Sequence, residues 1–370
     1  MQIIVTGADG FIGRNLRWRL KEAGFIDVLT ITRETTPAAL ADAVSKADFV
    51  FHLAGVNRPE NPSDFQTGNT TFTETLCRAL ESTGRAIPIA FSSSTQAALE
   101  NPYGNSKRAA EDAVRAYSAR TGSPSYIFRL TNVFGKWARP NYNSAVATFC
   151  NNIARGLPIK INDPGSPLKL VYIDDVTEAF VALLKTPNAP SGDCSVAPVY
   201  ETTVGDVAQA LQNIAASRAT LISPGTGTGL GRALHATYLS YLPPPAFTYD
   251  LTRHEDPRGV FVEMLKTPDC GQFSFFTAHP GVTRGEHYHH SKTEKFLVIK
   301  GTAHYGFRNI DTGEAYETVV TGADSRIVET VPGWTHNITN IGSDELVVML
   351  WANEIFDRER PDTFAMKVIS

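Results

Sequence analysis

A chain of 370 residues exceeds what one hydrophobic core usually supports, so two domains are expected and three are not. Hydrophobic residues at 42% and charged residues at 19% are globular values, and a net charge of -4 offers no basic field for nucleic acid or an anionic membrane. Small molecules are the expected partners. Cys77, Cys150, Cys194 and Cys270 are scattered, without the pairing of a zinc ribbon or the density of a secreted disulfide scaffold, so reduced thiols are expected. The opening Met1-Gln2-Ile3-Ile4-Val5-Thr6-Gly7 has no charged region leading into a long apolar core, and no run of about 18 apolar residues follows that could span a membrane. The expectation is a cytoplasmic protein.

Up to about residue 185, apolar runs at 3–5, 28–31, 49–53 and 87–92 alternate with helical patterns. This alternation predicts an α/β domain of Rossmann type, a doubly wound parallel sheet with helices on both faces. Residues 191–242 read as irregular structure and short helices, with a glycine-rich stretch at 225–231, and end at Pro243-Pro244-Pro245. Three prolines neither donate to a sheet nor continue a helix, so a stiff extended connector is predicted there. The domains are accordingly 1–243 and 246–370. Beyond the prolines, β-branched and aromatic runs at 273–276, 294–299 and 345–351, separated by glycine turns, predict an all-β jelly roll. There is no internal repeat.

The first strand runs into Thr6-Gly7-Ala8-Asp9-Gly10-Phe11-Ile12-Gly13, after which Leu16, Leu20 and Ala23 recur at helical spacing. Gly7 permits the tight turn, Gly10 lets backbone approach a pyrophosphate, and Gly13 allows close helix packing. Phe11, Ile12 and Arg14 lie in the first helical turn, where aligned N–H groups face the phosphates. The Gly-x-x-Gly-x-x-Gly spacing resembles the extended short-chain dehydrogenase/reductase family. Where the second strand ends, an NAD enzyme places a carboxylate for the ribose hydroxyls, whereas this chain has Thr32-Arg33. NADP is therefore the expected cofactor, with Arg33, helped by Arg14, pairing with the 2′-phosphate. Glu34 beside Arg33 blurs that preference, and an ordinary surface arginine is the competing reading. His52-Leu53-Ala54-Gly55 resembles the family's His-Leu-Ala-Ala stretch lining the cofactor, which implies Leu53 and Ala54 as contacts; His52 read alone is a packed histidine.

Tyr103-Gly104-Asn105-Ser106-Lys107 places Tyr103 and Lys107 four apart, on one helix face. Carbonyl reduction needs a proton donor at oxygen while hydride arrives at carbon, and a nearby ammonium stabilises the tyrosinate left behind. Lys107 can also hold the nicotinamide ribose. A bare Tyr-x-x-x-Lys usually marks a solvated helix face, but here it follows, in order, the glycine turn and the strand end Phe91-Ser92-Ser93-Ser94. The resemblance implies Ser94 as the hydroxyl that orients the carbonyl, with Ser93 second. It extends over residues 1–185 through Arg129-Leu130-Thr131-Asn132-Val133-Phe134-Gly135 and Val171-Tyr172-Ile173-Asp174-Asp175-Val176. By the same resemblance Asn132 contacts a nucleotide-sugar; alone it would cap local backbone.

Six of the nine histidines lie between His279 and His336, too concentrated for packing alone. Gly281, His287-Tyr288-His289, Glu294 and Gly301 resemble the first cupin motif, and Pro332-Gly333-Trp334-Thr335-His336 with Asn340 much of the second. The second motif departs in placing Pro332 directly before Gly333, which puts the turn geometry in question more than His336. On a strand His287 and His289 share a face, so both imidazoles can meet Glu294 and His336 inside one barrel, while His290 faces away. Three nitrogens and a carboxylate suit zinc, with iron, manganese or nickel as alternatives; a ligand-free cupin is the competing reading. Asp256-Pro257-Arg258-Gly259-Val260-Phe261-Val262-Glu263 resembles the opening of deoxysugar epimerases built on the cupin fold, and read alone is a turn entering a strand.

The joint order resembles the bifunctional capsule and O-antigen polysaccharide-biosynthesis enzymes of the CapF/WbjC type. It implies a homodimeric oxidoreductase and isomerase acting on UDP-2-acetamido-2,6-dideoxy-L-arabino-4-hexulose. The cupin would epimerise C3 and the first domain would reduce C4 with NADPH, giving UDP-2-acetamido-2,6-dideoxy-L-talose, a precursor of N-acetyl-L-fucosamine. His304, Tyr288, Lys292 and Glu263 are residues of suitable type for proton transfer in the cupin. Two other functions compete: a UDP-4-ketosugar reductase whose cupin only binds or dimerises around a structural metal, and an NADP-sensing regulatory protein. Tyr103, Lys107 and Ser94 argue against the sensor, which has no need of that acid.

Overall fold

Runs of three to six residues, too short for helices and in most strands rich in β-branched and aromatic side chains, form the strands of the first sheet in this computed structural model, which describes residues 1–369 apart from 62, 187, 188, 248, 290, 291 and 311. His290 thus lies outside the described residues. In chain order come β1 (Ile3–Thr6), α1 (Phe11–Glu22), β2 (Val28–Ile31), α2 (Pro37–Lys46), β3 (Phe49–His52), a short α3 (Ser63–Phe65) continued by a π-helical turn into α4 (Phe72–Glu81), β4 (Ile89–Ser94), α5 (Pro102–Thr121) and β5 (Ser125–Leu130). Then follow β6 (Asn132–Phe134), α6 (Ala145–Ile153), β7 (Pro167–Tyr172), α7 (Ile173–Lys185), β8 (Gly192–Cys194) and β9 (Tyr200–Thr203). The main sheet has the order β2-β1-β3-β4-β5-β8, every neighbouring pair parallel.

Alternation along each strand divides its side chains between two faces. Ile4, Val50, Ile89, Phe91 and Ile127 pack against α2, α4 and α5 on one side. Ile3, Val5, Phe51, Ala90 and Phe128 pack against α1 and α7 on the other. The doubly wound α/β fold expected from the alternation is therefore present, and its strand ends converge where such sheets bind ligands. A smaller sheet, β6-β7-β9, lies beyond β5 in the chain.

Residues 191–242 are more regular than expected: besides β8 and β9 they contain the 17-residue α8 (Val204–Thr220) and the 11-residue α9 (Gly229–Leu239). Val207, Ala208, Leu211 and Ile214 are buried at helical spacing along α8, a stripe masked in sequence by interspersed alanines and polar residues. The triple proline is not extended either. Pro244–Phe247 forms a 3-10 turn, which proline's restricted φ also permits.

The chain divides into two compact units, 1–211 with 232–243 and 212–231 with 244–370. Residues 221–223 associate with the second because Lys266 donates to the Leu221 carbonyl at 2.7 Å and Ser223 donates to the Lys266 carbonyl at 2.8 Å. The strands of that unit pair antiparallel: β10 (Arg253–Asp256), β11 (Gly259–Thr267), β12 (Gly271–Ala278), β13 (Thr283–Tyr288), β14 (Glu294–Lys300), β15 (Thr302–Asn309), β16 (Ala315–Thr321), β17 (Ile327–Glu329), β18 (Trp334–Asn340), β19 (Leu346–Ala352) and β20 (Phe364–Ala365). Two sheets, β10-β11-β12-β19-β14-β17 and β16-β15-β18-β13-β20, contribute inward residues to one core, among them Phe276, Phe296, Val348, Tyr305, Phe307 and Ile338. This is the all-β sandwich anticipated from the short strands. Asp256-Pro257-Arg258-Gly259 is the turn of its first hairpin, closed by Arg258 on Asp256 at 2.6 Å.

Candidate active site and metal centre

The loop after β1 is shaped by backbone contact. Gly7 has φ +65, and a Cβ there would stand 2.7 Å from the Ala54 Cα; one at Gly13 would collide with the Gly7 carbonyl and Ala8. The turn and α1 can approach this closely only with glycine at both positions. α1 starts at Gly10 without a side-chain cap or an acidic residue in its first turn, as a helix end reserved for an anion would.

A cleft of about 770 Å³ opens at this end of the sheet. It is lined by Gly7, Gly10, Phe11, Ile12, Gly13, Arg14, Arg33, Leu53, Ser94, Tyr103, Lys107 and Asn132, so residues from six separate stretches of chain meet in one space. Ala54 lies behind this surface, against Gly7, and its N–H donates to Thr6 Oγ1 at 3.1 Å. His52 is a packed histidine: fully buried, it hydrogen-bonds Thr6 Oγ1 at 2.7 Å and Thr73 Oγ1 at 2.8 Å. Burial, then the nearby Lys107 charge, push its pKa down to about 3, so it stays neutral and braces the β1 and β3 ends.

α5 is started by Pro102 at its first turn and by Asn101, whose side chain accepts from the Gly104 N–H at 2.8 Å. Tyr103 and Lys107 therefore emerge on one face of the first turns. Lys107 is buried; its ammonium donates to the Ser92 carbonyl at 2.7 Å and stands 4.4 Å from the Phe91 ring centre. Burial lowers its pKa to about 8, with Glu111 opposing the fall. Burial also raises Tyr103, while a hydrogen bond with the Ser94 side chain pulls the other way.

The choice between Ser93 and Ser94 follows from strand alternation and one buried carboxylate. Ser93 donates to Glu111 at 2.5 Å, and Glu111 also receives Arg129 through Nε at 2.9 Å and Nη2 at 2.6 Å. Ser93 is thereby committed to structure, whereas Ser94 meets Tyr103. Because Glu111 is 1% exposed, Arg129→Ala leaves a buried charge without its main partner. A loss of about 3 kcal/mol is expected, at the lower end for broken buried pairs because Arg129 is partly exposed; urea unfolding measures it, and a loss under about 1 kcal/mol would refute this account.

Asn132 lines the cleft, and its amide donates to the Lys169 carbonyl at 3.0 Å, so it also ties local backbone. Trp137, Arg139 and Tyr142 also line the cleft and had no recognisable signal in sequence. They sit in the loop between β6 and α6, where there is no periodicity to read. Arg14 stands 5.3 Å from the Trp137 ring centre and Arg139 5.5 Å from that of Tyr142.

In the second unit His287, His289, Glu294 and His336 come together, their ligand atoms all within 4.8 Å of one another. The route differs from simple strand alternation. β13 carries a register shift between Gly285 and His287, Glu286 has φ +61, and His289 lies one residue past the strand. Beyond the strand, His289 is set by Nδ1–H, which donates to the Asp362 carbonyl, and its Nε2 lies 3.4 Å from Glu294 Oε2. His336, paired with His287 across β13–β18, has a buried Nε2 without a hydrogen-bond partner.

Burial, then the neighbouring His336 and His289, push His287 down to about 4. Burial alone would raise Glu294, but the imidazoles of His289 and His336 and the Lys292 ammonium at 3.0 Å hold it well below the usual carboxylate range. Three imidazoles, one of them with an orphaned buried nitrogen, and one carboxylate held ionised fit a divalent ion. Gly333, φ +78, donates to the His289 carbonyl at 2.9 Å, so the Pro332-Gly333 turn supports the centre.

A cavity of about 160 Å³ adjoins the centre, lined by His287, Glu294 and His336 with phenylalanines, Tyr305, Arg284, Thr330 and Asn337. His304, Tyr288, Lys292 and Glu263 lie outside that lining. His304 is 3.4 Å from Glu317 and Glu263 is paired with Lys266 at 2.9 Å.

No helix among the described residues is long and apolar enough to cross a membrane. Residues 3–197 match the NAD dependent epimerase/dehydratase family and residues 254–364 the polysaccharide biosynthesis C-terminal domain. A Pseudomonas aeruginosa protein named UDP-2-acetamido-2,6-beta-L-arabino-hexul-4-ose reductase is 57% identical over 368 residues, covering 100% of this chain and 99% of its own. The crystal structure of the capsular polysaccharide assembling protein CapF from Staphylococcus aureus superposes with a TM-score of 0.92 at 40% identity, over 99% of this chain and 100% of that one. Thermus thermophilus UDP-glucose 4-epimerase, solved with NAD, shares the fold over 65% of this chain and 99% of its own, with a TM-score of 0.53 at 22% identity. Both domain matches, in this order, and end-to-end likeness to two such proteins mean that the chain belongs to the NAD dependent epimerase/dehydratase family, in its CapF-type branch carrying a C-terminal cupin.

Proposed function

We propose that this chain is an NADPH-dependent reductase of UDP-2-acetamido-2,6-dideoxy-4-hexulose whose cupin domain, residues 246–370, first inverts C3. Residues 1–243 form the reductase, and the product is the L-talo sugar, destined for surface polysaccharide and made in the cytoplasm by a homodimer. The observation that carries the reading is that Ser94, Tyr103 and Lys107 share one cleft with the glycine turn. The Pseudomonas aeruginosa relative is named for this reduction, and its identity spans both domains.

NADPH supplies the hydride for C4. Tyr103 donates a proton to O4, Ser94 orients that oxygen, and Lys107 stabilises the tyrosinate. Arg33 and Arg14 hold the 2′-phosphate, the glycine turn receives the pyrophosphate, and Asn132 contacts the nucleotide-sugar. His287, His289, Glu294 and His336 would hold a divalent ion, zinc by its donor set, which supplies Lewis acidity. The order of steps follows from the substrate: the C4 ketone acidifies C3–H, and reducing it afterwards locks the new configuration.

Proton NMR of the metal-loaded protein with the L-arabino-4-hexulose in deuterated water tests both halves. The C3 proton signal should disappear before NADPH is added, and a talo-configured alcohol should form afterwards. Reduction without prior C3 exchange would leave a plain ketosugar reductase; no NADPH consumption would remove the reductase half.

A further inference from the structure

We infer that the Tyr305 hydroxyl is the hydrogen-bond donor which the cupin cavity offers to the ketone oxygen O4 of its sugar as charge develops there; this rests on the C3-inversion reading above. Buried polar groups in proteins are nearly always partnered, so an unpartnered one calls for an explanation. Among the described residues five buried side-chain atoms lack a hydrogen-bond partner, and two of them, Tyr305 OH and His336 Nε2, belong to residues lining the same cavity. A metal accounts for the histidine nitrogen. It does not account for a phenol.

Position supports the assignment. On adjacent strands Tyr305 pairs with Ile338 and Phe307 with His336, so Tyr305 lies two residues from the ligand's partner, on the same inward strand face. The tyrosine is 2% exposed, and Phe296 packs 6.0 Å from its ring. The other uncharged or cationic polar groups on the wall are engaged. Arg284 donates to the Thr277 carbonyl at 3.0 Å, Thr330 accepts from the Glu294 N–H at 2.8 Å, and Asn337 donates to Glu286 at 2.9 Å. Among these groups Tyr305 alone makes no hydrogen bond.

The cavity, about 160 Å³, falls below the roughly 300–1,000 Å³ typical of sites enclosing whole drug-sized ligands. It suits the sugar ring rather than the nucleotide, and its phenylalanine walls make an undirected charge costly. During inversion the C3–H bond breaks, its proton passes to a base, its electron pair becomes the C3–C4 double bond, and the carbonyl pair moves onto O4. Proton return to the opposite face of C3 reverses these shifts, so nothing is oxidised or reduced. Tyr305 keeps its proton throughout and donates a hydrogen bond that strengthens as O4 becomes negative.

The test is Tyr305→Phe in the full-length, metal-loaded protein, following C3 hydrogen–deuterium exchange of the L-arabino-4-hexulose by NMR without NADPH. Exchange kcat should fall about 100- to 1,000-fold, as when one oxyanion donor is removed, with a smaller change in KM. Metal content and unfolding midpoint should stay at wild-type values, because Phe sacrifices no bond inside the folded protein. Wild-type exchange in the variant would overturn the assignment while leaving C3 inversion intact, and lost metal or a lowered midpoint would overturn it in favour of a structural role. Absence of exchange in the wild type would remove the inversion reading and the Tyr305 role with it.

Discussion

Tyr103→Phe is expected to lower NADPH oxidation with the 4-ketosugar about 1,000-fold, within the roughly 100- to 10,000-fold range of general acid catalysis. The substitution removes the proton donor yet keeps the ring, which packs 5.6 Å from Phe65, so nucleotide affinity and stability should change little. Steady-state rates with fluorescence titration of NADPH separate the two effects. A variant that binds NADPH normally and turns over at wild-type rate would exclude Tyr103 as the acid. The pH dependence has a definite sign. Lys107 is charged below about 8 and progressively neutral above it, and only its charged form stabilises a tyrosinate. The wild-type rate should therefore decline as pH rises through that value.

Removing a metal ligand should have the second large effect. His336→Ala takes away one of the four donors gathered around Glu294, which is 6% exposed. Metal affinity should drop by more than about 100-fold, beyond the loss usual for outer-shell partners. Elemental analysis after dialysis should find the ion in the wild type and little in the variant, and C3 exchange should vanish with it. Because the ion binds only the folded site, stripping it from the wild type should also cost about 2.7 kcal/mol at a free concentration 100-fold above Kd. Full metal content in His336→Ala, or C3 exchange by its metal-free form, would dismiss this account of the centre.

The motifs that were readable are those whose geometry is local. The spacing of Gly7, Gly10 and Gly13 encodes a turn entering a helix, Tyr103 and Lys107 share a face because a helix repeats every 3.6 residues, and alternation in β1 to β5 divides Ile3 from Ile4 between two cores. Such relations span a few bonds of backbone and survive in any protein that forms the element. The reading weakened where local rules permit several answers. Three prolines allow an extended connector or a 3-10 turn, and the stripe on α8 was hidden because alanine fits both a buried and an exposed helix face.

Other features depend on partners far away in sequence. Ser94 rather than Ser93 meets Tyr103 because Glu111, 18 residues beyond Ser93, draws Ser93 aside. His289 is aimed from beyond its strand by the carbonyl of Asp362, 73 residues away. Tyr305 looks in sequence like any aromatic on a core strand, and its hydroxyl stands out only once its neighbours are seen to leave it unpartnered in a residue that lines the same cavity as His336. Periodicity orients a side chain toward a face. Which atoms wait there is set by sheet register and packing between distant segments, and those leave no local pattern to read.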